Sequence, residues 1–335
     1  MKKKFETAWN CVLTDKPGLT IIDVFEAIHK GKIKAVYCMG ENPVLSEPEA
    51  RHAEEALQKL ELLVVQDIFM AETAKFAHYV LPGVTFAEND GTFTNTERRV
   101  QRVRKAIEPI GDSRPDWLII CQMAQKMGKK GFDFTHPSQI MEEIARLTPS
   151  YGGITYERLE KGGLQWPCPT VEHPGTSILH TATFTRGKGK FMPVEYRVSK
   201  ELPDAEYPLL LTTGRSLFQY HTGTMTRKVR GLNAFLGEEK VEINPEDAVA
   251  LGIADGEAVR VTSRRGVVNA KAKVTDVSPV GVVYMTFHFA ESPTNQLTNP
   301  ALDPVSKIPE FKVCAVRVEK AGTPVKKERV AAKHK

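Results

Sequence analysis

The sequence predicts an α/β unit followed by a compact β-barrel, and three observations carry that expectation. Over residues 1–145 short apolar runs alternate with helical stripes, the rhythm of a parallel sheet with helices on its faces. From Tyr207 onward the pattern changes to strands in which apolar and polar residues alternate. The intervening stretch, 146–205, is rich in Gly, Pro, Thr and Tyr and shows no sustained periodicity, so it reads as an irregular connector. The expected boundaries are therefore 1–145, 146–205 and 206–320, with a basic, disordered tail at 321–335.

Each element has a local reason. Ile33–Met39 is a short apolar run closed by Gly40, as in a buried strand. After Asn42-Pro43, Pro48 opens a helix that carries Ala53, Ala56, Leu57 and Leu60 on one stripe. Leu62–Val65 is a second strand, Glu72–Ala77 a helical stretch, and Val80-Leu81 a third strand stopped by Pro82-Gly83. Pro115 and Gly128 frame a helix over Asp116–Met127. In the second half Pro208–Thr213 and Val241–Ile243 are strands, and Asn244-Pro245-Glu246-Asp247 caps a short helix ending at Gly252. Ala258–Ser263 and Val267–Val274 form a hairpin around Arg265-Gly266, and Gly281–Phe287 and Lys312–Val318 supply two further strands.

Composition narrows the function. With 41% hydrophobic and 26% charged residues among 335, the chain is of ordinary globular make-up. Lys+Arg 46 against Asp+Glu 41 gives a net charge of +5, with many positives at the termini, and the single interior basic run, Arg98–Lys105, is too short to mark a nucleic-acid binder. No apolar run approaches the ~18 residues of a membrane span, and the basic Met1–Lys4 start lacks the apolar core of a signal peptide. Five widely spaced cysteines fit a reducing cytoplasm and exclude a CxxC-type zinc or cluster site. No Walker loop, GxGxxG, HExxH or Ser/His/Asp nucleophile motif is present.

What remains are loops at strand ends. Cys38–Pro43 and Val65–Asp67 lie where a parallel sheet binds ligands, although ordinary turn chemistry uses the same residues. The polar stretch Phe86–Gln101 could wrap an anionic ligand or equally form a solvated hairpin. The sharpest signal is Leu211–Thr226, where a strand runs into Thr213-Gly214-Arg215 and then a loop of hydroxyls with one histidine, His221. Glycine lets the main chain approach a phosphate, and arginine adds a planar, permanently charged fork. His221 could face a heterocycle or satisfy a buried carbonyl. Asn295 and Lys312 are the polar residues near the end, with loop capping and a plain surface lysine as the alternative.

Val36–Pro43, Val65–Phe69, Val80–Pro82, Asn95–Gln101, Thr213–Thr226 and Asn295–Thr298 occur in this order and together closely resemble the molybdopterin oxidoreductase family (the dimethyl sulfoxide reductase superfamily). Within it the chain is most similar to the carboxy-terminal half of formate dehydrogenase catalytic alpha subunits, while periplasmic nitrate reductases share most of the strings. The resemblance implies a Rossmann-like parallel α/β domain followed by a six-stranded double-psi β-barrel. It implies two molybdopterin guanine dinucleotides (bis-MGD) around one Mo or W atom, and oxidation of formate to CO2 with release of two electrons.

Carried over by motif, Gly40, Glu41 and Asn42 would line one dinucleotide arm, with Gln66 and Asp67 near its ribose and base and Asn89 and Asp116 as further polar contacts. Thr213, Gly214, Arg215, Gln219, His221 and Thr222 would cradle pterin and pyrophosphate, and Phe289, Asn295 and Lys312 would close the site. Asn89 stands where many family members carry lysine. The family's [4Fe–4S] cysteine motif, its metal-ligating Cys or selenocysteine and following His, and its formate-positioning Arg have no counterpart here. The expected catalytic and metal-ligating residues of this chain are therefore none, and Cys11 and Cys38 are not promoted to ligands. Those groups are expected from an amino-terminal half or subunit, with an electron-transfer Fe–S subunit as a further partner. Three readings follow: half of a split enzyme, a non-catalytic cofactor-binding subunit, or a gene fragment. This half by itself should expose a large patch where its partner would sit.

Overall fold

The computed structural model describes residues 1–322, so the expected disordered tail lies, from residue 323 onward, outside the described residues. In chain order the first elements are α1 (Lys2–Trp9), α2 (Ile21–His29), β1 (Ala35–Met39), α3 (Pro43–Ser46), α4 (Ala50–Leu57), β2 (Leu62–Asp67) and β3 (Tyr79–Pro82). There follow β4 (Gly91–Thr94), β5 (Arg99–Val103), α5 (Asp116–Lys126), α6 (Pro137–Leu147), α7 (Tyr156–Glu160) and the two-residue β6 (Leu164–Gln165). The last group is β7 (Leu209–Gly214), α8 (Arg230–Phe235), β8 (Lys240–Ile243), α9 (Pro245–Leu251), β9 (Ala258–Thr262), β10 (Val267–Val274), β11 (Val282–Thr286) and β12 (Cys314–Lys320).

The described chain divides into two compact units. One comprises Met1–Gly18, Val64–Ile68 and Tyr79–Tyr196, and the other Leu19–Leu63, Phe69–His78 and the chain from Arg197 on. The expected parallel sheet is present: β1, β2 and β3 lie in that order, and β2 runs parallel to β3 with Gln66 beside Leu81. α4 buries the predicted stripe of Ala53, Ala56 and Leu57. It starts at Ala50 rather than Pro48, because Pro43–Ser46 forms its own turn of helix and Glu49 takes a left-handed conformation at φ 48°. The predicted helical stretch Glu72–Ala77 is a single 3-10 turn, Thr73–Phe76. Phe86–Gln101 contains a hairpin, with β4 antiparallel to β5 and Asn95 at the bend.

The barrel is closed and six-stranded, in the order β10-β8-β11-β7-β12-β9. The alternating pattern works as expected: Leu209, Leu211, Val241, Ile243, Val259, Val261, Val283, Met285, Val316 and Val318 point inward into one core. α9 follows β8 with Asn244 Oδ1 accepting from the Glu246 amide at 2.9 Å, and Gly252 ends it in the left-handed region at φ 66°. Strand register positions the site. β7 and β11 are parallel with Gly214 opposite Thr286, so the loops after both leave from the same rim. β12 runs antiparallel to β7 with Cys314 opposite Leu211, which brings Phe311-Lys312 to that rim as well.

Candidate functional site

At this rim Thr213, Arg215, His221, Asn295 and Lys312, five of the residues singled out in the sequence, line one cleft of about 550 Å³ together with Ser46, Phe287 and Phe311. The end of β7 is clamped to the segment before β12. The Thr213 hydroxyl donates to the Phe311 carbonyl at 2.8 Å, and Lys312 Nζ donates to the Thr213 carbonyl at 2.5 Å. Burial, and then the positive charge of Arg215, hold the Lys312 amine below its usual pKa. Two cations that repel one another across a cleft favour an anion between them.

His221 sits in the left-handed region at φ 51°, a costly conformation for a residue with a Cβ. Its ring meets Phe287 edge-on at 5.5 Å between centroids. Burial and then Arg215 lower its pKa, against a smaller opposing effect of Glu41, so the imidazole is biased toward the neutral form. Asn295 is buried, and its Nδ2 donates to the Leu45 carbonyl at 2.7 Å. Its Oδ1 is buried and has no hydrogen-bond partner among the described residues. An acceptor left bare beside a cleft is costly unless a ligand N–H or O–H reaches it.

Asn42 has a different role. Its Nδ2 donates to Glu72 Oε2 at 2.8 Å and Thr224 Oγ1 at 2.9 Å, while Oδ1 accepts from the Thr73 amide and hydroxyl at 3.1 and 2.8 Å. This side chain ties the loop after β1 to the loop after β7, and Gly40 and Glu41 immediately before it are exposed. Thr222 shares a hydroxyl hydrogen bond with Thr224 at 3.1 Å and lines a smaller recess of about 40 Å³ together with Glu72 and His288. Gln219 is spent internally, donating to Asn233 at 3.2 Å and accepting from the Thr226 hydroxyl at 2.6 Å. Phe289 is buried beneath the Arg227 guanidinium, 4.6 Å from the ring centroid, and Arg227 forms a two-pronged pair with Glu291 at 2.6 and 2.7 Å.

Gly214 has a steric reason beyond close approach to a ligand. A Cβ there would stand 2.5 Å from the Tyr284 ring, whose hydroxyl donates to the Arg215 carbonyl at 3.1 Å. Gln66, Asp67, Asn89 and Asp116 belong to the other unit. There Gln66 Nε2 meets Asp116 Oδ1 at 2.5 Å, and the Asp67 carbonyl accepts from the Gly83 amide at 3.0 Å. Asn89 is half-buried just before β4.

Sequence reasoning missed Ser46, Phe287 and Phe311 as lining residues, since serine and phenylalanine beside a strand carry no chemical signature. It also missed Glu239, a buried carboxyl that accepts from the Thr286 amide at 3.1 Å and from the Thr286 hydroxyl through both oxygens. Burial pushes its pKa up to about 8. Burial and then Arg227 push the buried His288 down to about 4. Among the described residues no group of three or more His, Cys, Asp or Glu could hold a metal ion, and no helix is long and apolar enough to cross a membrane.

Residues 6–126 match the family model described as molybdopterin oxidoreductase, and residues 209–315 match the molydopterin dinucleotide binding domain. The chain is 51% identical over 321 residues to the F420-dependent formate dehydrogenase subunit alpha of Methanocaldococcus jannaschii, covering 95% of this chain and 48% of that one. It is 35% identical to formate dehydrogenase H of Escherichia coli (99% and 47% covered). It is 39% identical to the assimilatory nitrate reductase catalytic subunit of Bacillus subtilis (90% and 44% covered). The chain thus spans about half the length of these curated relatives. Its fold is shared with acetylene hydratase from Pelobacter acetylenicus, at a TM-score of 0.71 and 17% identity, over 96% of this chain and 49% of that one. With both family models matched, one in each half, the chain belongs to the molybdopterin oxidoreductase family.

Proposed function

We propose that the chain is the carboxy-terminal, molybdopterin guanine dinucleotide-binding portion of a formate dehydrogenase, active together with the part of its relatives that it does not span. The observation that carries this reading is the barrel-rim cleft, which Asn295, Arg215 and Lys312 line together, Asn295 carrying a buried Oδ1 with no hydrogen-bond partner among the described residues. That donor set suits the cofactor. Asn295 would accept from an N–H of its amino-substituted heterocycle, and Arg215 and Lys312 would balance its phosphates. His221, biased neutral, would offer a ring nitrogen to the pterin, with Thr213, Gly214, Gln219 and Thr222 shaping the loop around it. Gly40 and Glu41, on the loop that Asn42 anchors, would contact a dinucleotide arm. Gln66 and Asp67 would serve its ribose and base, Asn89 and Asp116 would add further polar contacts, and Phe289 would pack beneath the site.

When bound, the cofactor's Mo or W supplies the redox chemistry, taking up the two electrons as formate becomes CO2 and a proton. This chain's own residues bind and orient. The metal ligand, the proton-handling His, the formate-positioning Arg and a [4Fe–4S] cluster would come from the amino-terminal portion, and electrons would leave through an Fe–S subunit. A cytoplasmic setting belongs to the same reading and is supported by five cysteines that stand as free thiols.

The test is co-expression of this chain with the portion of the Methanocaldococcus subunit it does not span, followed by formate-dependent dye reduction and Mo and W analysis. Metal with formate-dependent activity is the expected result. Metal and bound pterin without activity would instead support a non-catalytic cofactor-binding subunit, and neither would leave a fragment. The similarity to a nitrate reductase supports a second reading in which the same cradle serves nitrate, so nitrate with reduced dye is assayed alongside.

A further inference from the structure

The segment from Ile178 to Val198 belongs to no helix or sheet, yet part of it is patterned as a strand. Val194, Tyr196 and Val198 alternate with Glu195 and Arg197, the two-residue period of a strand with one face buried. Here that apolar face is bare: Val194 is 90% exposed, Tyr196 89% and the neighbouring Phe191 98%. Among the described residues the main chain of 191–198 makes no hydrogen bond to another main-chain group. Pro193, which lacks an N–H, stands just before the alternating run, where a strand tolerates it. Such a segment carries both an apolar face and an unpaired ladder, which is what strand addition to a sheet edge requires.

A second feature adjoins it. Phe184 and Gly187 pair through two main-chain hydrogen bonds of 3.2 and 2.8 Å, closing a tight turn with Gly187 at φ 88°. The turn presents Arg186, and Lys188 and Lys190 follow at alternate positions. Among the described residues none of these three makes an ion pair. Beside them an open hollow of about 570 Å³ is lined by His180, Phe184 and Met192.

We propose that residues 194–198 add as a β-strand to a sheet edge of the polypeptide that supplies the unspanned half of the relatives' length, and that Arg186, Lys188 and Lys190 face an acidic patch on it. The inference rests on the reading of the chain as one portion of a larger enzyme. It is favoured by the match to the Methanocaldococcus subunit, which extends over 95% of this chain while leaving about half of that one unaccounted for. A second copy of this chain is a poorer occupant, because it would bring a like-charged turn to the same place.

The experiment uses the intact chain co-expressed with the unspanned portion of the Methanocaldococcus subunit as a separately tagged polypeptide. Amide hydrogen exchange is then read on the chain alone and in the purified complex. The expected result is a one-to-one complex in which the amides of 194–198 exchange at least tenfold more slowly than in the free chain. Val194→Asp with Tyr196→Asp should lower recovery of the complex by tenfold or more and leave the thermal midpoint of the free chain unchanged. Arg186→Glu with Lys188→Glu should do the same. A complex in which 194–198 exchange as fast as in the free chain would overturn the strand addition and leave the larger-enzyme reading standing. Absence of any complex would overturn both. Protection that appears without the second polypeptide and grows with concentration would assign the surface to a second copy and overturn the proposal.

Discussion

Asn295, which lines the barrel-rim cleft, donates from Nδ2 to the Leu45 carbonyl at 2.7 Å and so fixes the orientation of its amide. The bond joins the loop after β11 to the turn α3, and it leaves Oδ1 buried and without a partner among the described residues. Because the donor end is committed to a carbonyl, the orphan atom is an acceptor, and any ligand that meets it must bring a hydrogen.

Asn295→Leu removes both functions while nearly preserving volume. The Leu45 carbonyl would lose its side-chain donor, at a cost of about 1–3 kcal/mol, and cofactor content of the purified complex should fall by about tenfold or more. Urea unfolding of the free chain checks the first expectation and pterin fluorescence after acid release the second. Unaltered pterin content would remove Asn295 from the site.

Arg215 and Lys312 are expected to act by charge. Arg215→Gln with Lys312→Gln should weaken retention of the guanine dinucleotide and flatten its salt dependence, since two charge-assisted contacts are gone. Cofactor loss during gel filtration at rising ionic strength reads both effects.

Glu239 predicts how stability varies with pH. Its folded pKa, about 8, lies above the ordinary 4.5, so between those values the folded state holds a proton that the unfolded state has released. The stabilisation from its buried neutral form is complete below pH 4.5 and is lost as pH rises through 8, on the order of a few kcal/mol. Glu239→Gln keeps an oxygen for Thr286 and cannot ionise, so the thermal midpoint should fall less between pH 5 and 8 than in the wild type. His288 works in the opposite sense: its folded pKa of about 4 gives a contribution complete above pH 6.5 that is lost as pH falls through 4.

Gly214→Ala would drive a Cβ to 2.5 Å from the Tyr284 ring. Tyr284 is anchored through its hydroxyl to the Arg215 carbonyl, so relief must displace the ring or the strand end. A loss of about 1–3 kcal/mol in urea unfolding is expected, together with weaker cofactor retention as Arg215 moves.

The barrel was legible because a two-residue period is unambiguous where one face is buried: Leu209 and Leu211, then Val259 and Val261, mark their strands without further context. The cleft was legible in part, since Thr213, Arg215, His221 and Asn295 belong to motifs, Lys312 stands out as a polar residue near the last strand, and all five meet at one rim. The particular work of each residue was not. That Asn42 and Gln219 spend their amides inside the protein depends on partners such as Thr224 and Asn233, which no spacing rule connects. Gly214 reads as a ligand-approach glycine until Tyr284, from a neighbouring parallel strand, is seen to need the space. Glu239 carries no signature at all, because its altered acidity comes from burial and not from its neighbours in sequence. The start of α4 was misjudged by two residues because the left-handed turn at Glu49 has neither glycine nor asparagine to announce it.

The most direct test is to count guanine nucleotide and Mo or W in the chain purified with its complementary portion from a cofactor-producing host. Wild type and Arg215→Gln, Asn295→Leu would be compared after each is shown to be folded. Stoichiometric nucleotide and metal in the wild type, with loss of both from the folded variant, is the predicted result. Equal nucleotide content in the two proteins would contradict the assignment of the barrel-rim cleft as the cofactor cradle.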